Sequence, residues 1–176
     1  MTAGQARREF DADVTWLPFD LHPEYPPEGI VRPLRENDPL RVRFVEAGLE
    51  YNRPETVPNT KLALRMSELA REQGLHDAFH DRLMDAYWAE AVNIGDADEL
   101  RRLAGEAGVD DVGRVIDDPD AYLRVVEGST RQAFASGINA VPAFVLDRRL
   151  LVMGAQPIEV FRQAFAQLNQ LEEPGE

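Results

Sequence analysis

Hydrophobic positions along the chain change period twice. From residue 13 to 21, Val14, Trp16 and Phe19 alternate with polar neighbours, the period of a half-buried β-strand. Pro18 has no N–H to give a ladder, so the strand is predicted as broken or as an edge. The next stretch carries Pro23, Pro26, Pro27, Pro33 and Pro39 and almost no Gly or Ser. That composition predicts an irregular, semi-rigid loop.

From about 59 to 137 the period is helical. Asn59 and Thr60 follow Pro58 and offer a cap; Leu62, Met66, Leu69 and Gln73 recur at helical spacing before Gly74. Phe79, Leu83, Ala86 and Tyr87 form a second stripe. Asp96 and Asp98 suit the positive end of a third helix, with Leu100, Leu103 and Ala107 inward and Gly108 after it. Asp118-Pro119 predicts the cap and first residue of a long helix through Tyr122, Val126 and Ala133 to Gly137. The period then returns to two. Residues 143–154 read as two short strands around a turn at Asp147-Arg148-Arg149, which lacks the usual Gly. Gln156-Pro157 opens a final helix with Ile158, Phe161, Phe165 and Leu168 on one face, and 172–176 reads as a disordered tail.

A helical block between β-containing ends is an α/β layout. At 176 residues the chain is one domain, or one with an insertion, and buries about 70% of its unfolded surface. Nineteen basic against 32 acidic residues give a net charge of −13. Nucleic acid and anionic membranes both reward clustered positive charge, so neither is an expected partner. No apolar run suits a secretory leader or a membrane span, and cytoplasm is the expected location. There is no cysteine. Disulfides, thiolate metal sites and thiol chemistry by this chain as written are thereby excluded.

The most specific residues lie at both ends. Residues 15–29 (TWLPFDLHPEYPPEG), 57–60 (VPNT) and 137–161 (GINAVPAFVLDRRLLVMGAQPIEVF) resemble the FrnE-like branch of the DsbA family. These are thioredoxin-fold proteins with an inserted all-helical subdomain. The resemblance runs from about Arg7 to Leu168 and is sharpest at residues 140–145 and at Gly154-Ala155-Gln156-Pro157. It implies a thioredoxin-like portion over 1–30 and 138–171 and a Pro-rich loop with the helical insertion over 31–137. It also implies thiol–disulfide oxidoreductase or disulfide isomerase activity, with no cofactor. Pro142 maps to the family's cis-proline. Proline gives up only about 0.5–1 kcal/mol in going cis. Ala140, Val141 and Pro142 are then expected to hold the backbone of a disulfide-containing protein or peptide, or to face a small-molecule thiol, as a short antiparallel pair.

The family pattern begins with a strand and a Cys-x-x-Cys at a helix N-terminus, where the dipole and free N–H groups lower a thiol pKa. Residues 5–10 look like the end of that helix, so the chain is expected to lack the first strand and the nucleophile, through truncation or a misassigned start. No catalytic residue is assigned. A relic gene remains open, as does a non-catalytic binding module whose sheet is completed by a second copy in a homodimer. A third reading, a glutathione-dependent isomerase or transferase, needs a Ser at the missing position. Ser67, Ser129 and Ser136 do not fit it, and that branch reads Gly-x-Asp-Arg where this chain has Gly-Ala-Gln-Pro.

Asn59 and Gln156 are accessory groove candidates, Asn59 doubling as a helix cap. His76 and His80 stand at i, i+4 with Asp77 and Asp81. The spacing suits two metal ligands, yet there is no Glu of HExxH and no third ligand, so a solvated helix face is expected and no metal is assigned. His22 reads as structural, and Trp16 and Trp88 as core or groove wall.

Overall fold

The structure is a computed structural model that describes residues 3–35 and 37–172. The chain divides into two compact units, Pro18–Thr130 and the pair Met1–Leu17 with Arg131–Glu176.

The first of these is the helical unit. A two-residue ladder opens it, β1 (Ile30–Val31) antiparallel to β2 (Thr56–Val57), with α2 (Pro39–Glu46) between them. Then follow α3 (Lys61–Glu72), α4 (His76–Trp88), α5 (Ala97–Glu106), α6 (Gly113–Ile116) and the start of α7 (Leu123–Ala135). The predicted stripes become the core. Met66 and Leu69 of α3, Phe79 of α4, Leu100 and Leu103 of α5 and Val115 of α6 are fully buried. Each such side chain contributes about 1.5–3 kcal/mol on leaving water. Gly74 closes α3 at φ +73, a conformation that would strain any side chain with a Cβ. Asp96 caps α5 by accepting from the N–H groups of Asp98 at 2.9 Å and Glu99 at 3.0 Å.

Arg65 holds the far end of this unit. Its buried guanidinium donates to the carbonyls of Ala121 at 2.6 Å and Val115 at 2.7 Å, and to that of Asp118. Here the structure corrects the predicted helix start at Asp118. The Asp118 carboxylate closes a turn on the Asp120 N–H at 2.9 Å, and Tyr122 sits at φ +55, so α7 begins only at Leu123. Tyr122 is held there by its hydroxyl, which donates to Glu72 and accepts from Arg114.

The hairpin unit contains α1 (Ala3–Phe10), the end of α7, β3 (Ala143–Leu146), β4 (Leu150–Met153) and α8 (Ile158–Glu172). β3 and β4 pair antiparallel, with Phe144 opposite Val152 and Leu146 opposite Leu150. Asp147 and Arg148 take φ +47 and +54, the mirror-image turn that suits the twist of a hairpin, reached here without Gly. One face of the hairpin packs on α8, where Phe161 is fully buried and meets Phe144 edge-on at 4.9 Å. Phe10 of α1 stacks on Phe165 of α8 at 4.2 Å, and Glu9 pairs with Arg162 at 2.6 Å.

Two further expectations change. Burial over residues 11–20 alternates with period two, but no β-ladder forms there. A strand needs a partner, and among the described residues β3 and β4 pair only with each other. α2 breaks the block read as irregular, with Asp38 accepting from the Leu40 N–H at 3.0 Å and Pro39 in its first turn. α8 extends through Glu172; the rest of the expected tail lies outside the described residues. Among the described residues no helix is long and apolar enough to cross a membrane.

Candidate functional site

The approach to β3 is set by the end of α7. Gly137 follows it at φ +77, the Ile138 N–H returns to the Ala133 carbonyl at 2.9 Å, and the chain turns into Asn139 and Ala140. The Val141–Pro142 peptide bond is cis. The Pro142 carbonyl accepts from the Gly154 N–H at 2.7 Å, one residue beyond the β3–β4 ladder. Pro142 thus belongs to the hairpin, and Val141 lies at its rim.

Ala140, Val141 and Pro142 are exposed, Val141 at 55%. Among the described residues the Val141 N–H and C=O have no hydrogen-bond partner. A donor and an acceptor on one residue, solvated beside a strand, form half of an antiparallel pair. Gln156 is nearby in sequence and space: its amide donates to the Met153 carbonyl at 2.9 Å, and its N–H reaches the Gly154 carbonyl at 3.0 Å. Its side chain therefore fastens the end of β4 to the start of α8. Ala140, Val141, Pro142 and Gln156 all belong to the hairpin unit.

Asn59 belongs to the helical unit, where both ends of its amide are engaged. It donates to the Tyr25 carbonyl at 2.7 Å and accepts from the Lys61 N–H at 3.0 Å. It satisfies one free N–H at the start of α3 and ties the Pro-rich segment to it. A Cβ on Gly95 would sit 2.9 Å from the Asn59 carbonyl, so this step is also closely packed from the other side.

His76 and His80 stack at 6.0 Å, and both are half-buried instead of lying on a solvated face. Burial lowers the pKa of each. His76 Nδ1 is 3.5 Å from Asp77 Oδ1 and makes no hydrogen bond among the described residues. Among those residues no group of three or more His, Cys, Asp or Glu is placed to hold a metal ion. His22 stacks on Tyr25 at 4.4 Å and meets Glu24 at 3.0 Å. Trp88 is a wall of a shallow groove of about 270 Å³, with Phe44, Leu49 and Met84.

Asp20 and Arg65 are among the buried polar residues that sequence reasoning missed. Asp20 is 4% exposed, its N–H donates to Thr130 Oγ1 at 3.0 Å, and burial raises its carboxyl pKa. Asp20 lies in the segment 15–29 that carries the resemblance, where no spacing marks it as buried, and Arg65 lies in no such segment. At the rim the missed feature is the Gly154 bond to Pro142, which aims the backbone of the whole strand.

A family model for the DSBA-like thioredoxin domain matches residues 2–166. The chain belongs to that family. It is 29% identical over 169 residues to the uncharacterized protein YwbO of Bacillus subtilis, covering 89% of this chain and 82% of YwbO. Among solved structures it is similar to one titled a "probable DsbA oxidoreductase" from Streptomyces coelicolor, at 31% identity and a TM-score of 0.78. That match covers 90% of this chain and 76% of the other. The fold is therefore the thioredoxin-like DsbA fold, α/β with a helical insertion. The 176-residue sequence contains no cysteine.

Proposed function

We propose that this chain is a thiol–disulfide oxidoreductase family member of the FrnE-like branch that keeps the peptide-holding part of the chemistry and carries no nucleophile of its own. One observation supports the reading above all others. The Val141 N–H and C=O are unpaired among the described residues, on an exposed residue directly before Pro142. An extended partner chain offers a C=O and an N–H to those two groups and completes an antiparallel pair. The partner is a disulfide-containing protein or peptide, and the setting is cytoplasmic.

In family chemistry a thiolate attacks one sulfur of a substrate disulfide. The S–S bond breaks, a mixed disulfide forms, and the other sulfur leaves as a thiolate. The four Met thioethers of this chain carry no ionisable S–H and do not replace that nucleophile. The 176-residue chain therefore holds substrate without reducing it. Insulin reduction in its presence is expected to match the no-protein blank, and turnover above the blank overturns the reading. Val141→Pro removes the N–H of the pair and is expected to abolish peptide binding with the fold retained by circular dichroism. With no cysteine, a second reading is a dedicated peptide-binding module using the same residues. The two separate on whether the native protein carries a thiol that labels with iodoacetamide.

A further inference from the structure

We propose that the face of α2 carrying Arg41 docks an acidic, amphipathic segment of a partner protein. The partner's carboxylates meet Arg41 and Arg32, and its apolar side chains meet Val42 and Val45. All four residues belong to the helical unit, so the proposal stands apart from the Val141 site.

The helix is fixed in place without burying anything. α3, α4, α5 and α7 each have buried apolar residues, whereas α2 has none. A helix of eight residues is marginal by itself in water. Its ends and one side hold this one. Asp38 and Pro39 start it. At its end the Gly48 N–H returns to the Val45 carbonyl at 3.0 Å and the Leu49 N–H to the Phe44 carbonyl at 2.8 Å. Phe44 packs on Tyr51 and Trp88 at 5.2 and 4.9 Å. Val42 and Val45 nevertheless stay 58% and 68% exposed. Valine is only a moderate helix former, so two open valines on a fixed helix suit contact with another molecule.

Charge selects that molecule. Successive side chains turn by about 100°, which orders this face as Phe44, Arg41, Val45, Val42, Glu46. Arg41 is exposed, has no ion pair among the described residues, and lies 6.0 Å from the centre of the Tyr51 ring. The Tyr51 hydroxyl donates to Asp38 at 2.6 Å and accepts from Arg53 at 3.3 Å. Arg53 also donates to the Arg32 carbonyl at 3.3 Å. The bonds from Tyr51 and the Leu40 N–H hold the Asp38 carboxyl below its usual range, and the charges of Arg53 and Arg32 add to them. Three guanidinium groups therefore gather around one carboxylate and leave positive charge in excess. Arg82, Arg102 and Arg114 of the same unit are each matched by Glu side chains. On a chain of net charge −13, the unmatched cluster is the complement of an acidic partner. Glu46 at the far edge sets the direction, with the partner's acid on the Arg41 side. A uniformly anionic membrane would meet Glu46 and the charge of the whole chain, which favours a protein.

The test uses the full 15N-labelled chain and an acetylated, amidated peptide, Glu-Glu-Leu-Glu-Glu-Phe-Leu-Glu-Glu-Leu. Amide shifts are expected to move over residues 40–49 and to stay in place in α5 and α8. Arg41→Glu is expected to weaken binding about tenfold at low salt and to make no difference at about 1 M salt. The same peptide with Lys for every Glu should prefer Arg41→Glu to the native chain. Val45→Ser should weaken binding about threefold at either salt. Neither residue is buried, so both variants should keep the native melting temperature. Unmoved shifts at 40–49, or Arg41→Glu binding as tightly as the native chain, overturn the proposal. Binding to phosphatidylglycerol vesicles that the peptide does not displace also overturns it and makes the face a lipid-docking one. A mass that doubles with concentration, and stays single in Val45→Ser, places a second copy there and overturns it too.

Discussion

In the helical unit, Arg65 donates to three carbonyls around the end of α6, Asp96 caps α5, and Met66, Leu69, Phe79, Leu100, Leu103 and Val115 are fully buried. In the hairpin unit, Phe161 is the fully buried side chain beneath two short strands, while Val141, Val145 and Leu151 remain between 42% and 55% exposed. The helices α3 to α6 bury their apolar stripes against one another, while α2 of the same unit leaves Leu40, Val42 and Val45 exposed. The hairpin leaves Val145 and Leu151 exposed on one face, and the Val141 N–H and C=O have no partner among the described residues.

The contrast breaks first at Phe161. Phe161→Ala is expected to cost about 3–5 kcal/mol, since the cavity has few neighbours to collapse into it. Its effect should appear as faster amide exchange in β3, β4 and α8 with α3–α5 still protected. Equal acceleration in both units would mean that they unfold as one block. Arg65→Met sharpens the other side. Stripping three carbonyls of their donor is expected to cost about 3 kcal/mol by urea unfolding, whereas Val145→Thr on the open face should cost less than about 0.5 kcal/mol.

Smaller effects come from titration. Burial raises the Asp20 pKa above its ordinary 3.8. Below pH 3.8 the residue is protonated folded and unfolded, and it has no influence on stability there. As pH rises through 3.8 to the raised folded value, the unfolded chain ionises first and stability falls. Asp20→Asn should therefore raise the melting temperature slightly at pH 7 and leave it unchanged below about pH 4. The smallest effect is spectroscopic. Burial, then the bond to Glu72, pushes the Tyr122 hydroxyl up to about 12, and Glu72→Gln should bring its alkaline titration down, read by ultraviolet absorbance.

Side chains that repeat at helical spacing were legible in the sequence, from Met66 and Leu69 to Leu100 and Leu103, because their stripes needed only each other to form a core. Local signals that needed tertiary context were not. Asp-Pro occurs at 38–39 and at 118–119. The first starts α2, although no residue of that helix is buried and its Leu40, Val42 and Val45 are exposed, so no apolar stripe announced it. The second starts nothing, because Arg65 grips the carbonyls of Asp118 and Ala121 and Tyr122 is held at positive φ. Residues 13–21 have strand-like alternation without a strand, since alternation does not supply a partner. Ala140, Val141 and Pro142 were singled out through a family resemblance, and the structure places them together at the start of the hairpin. The bond from the Gly154 N–H to the Pro142 carbonyl, which ties Pro142 to the hairpin, is one that no spacing reveals.

The most direct test of the peptide-holding account is amide exchange at Val141 in the full chain, with and without an extended disulfide-containing peptide. Phe144 and Leu146, facing β4, are expected to be protected in both. The Val141 amide is expected to exchange at close to the rate of an unstructured peptide in the free chain and to slow when the peptide is added. A Val141 amide that exchanges at the same rate with and without the peptide would contradict the account.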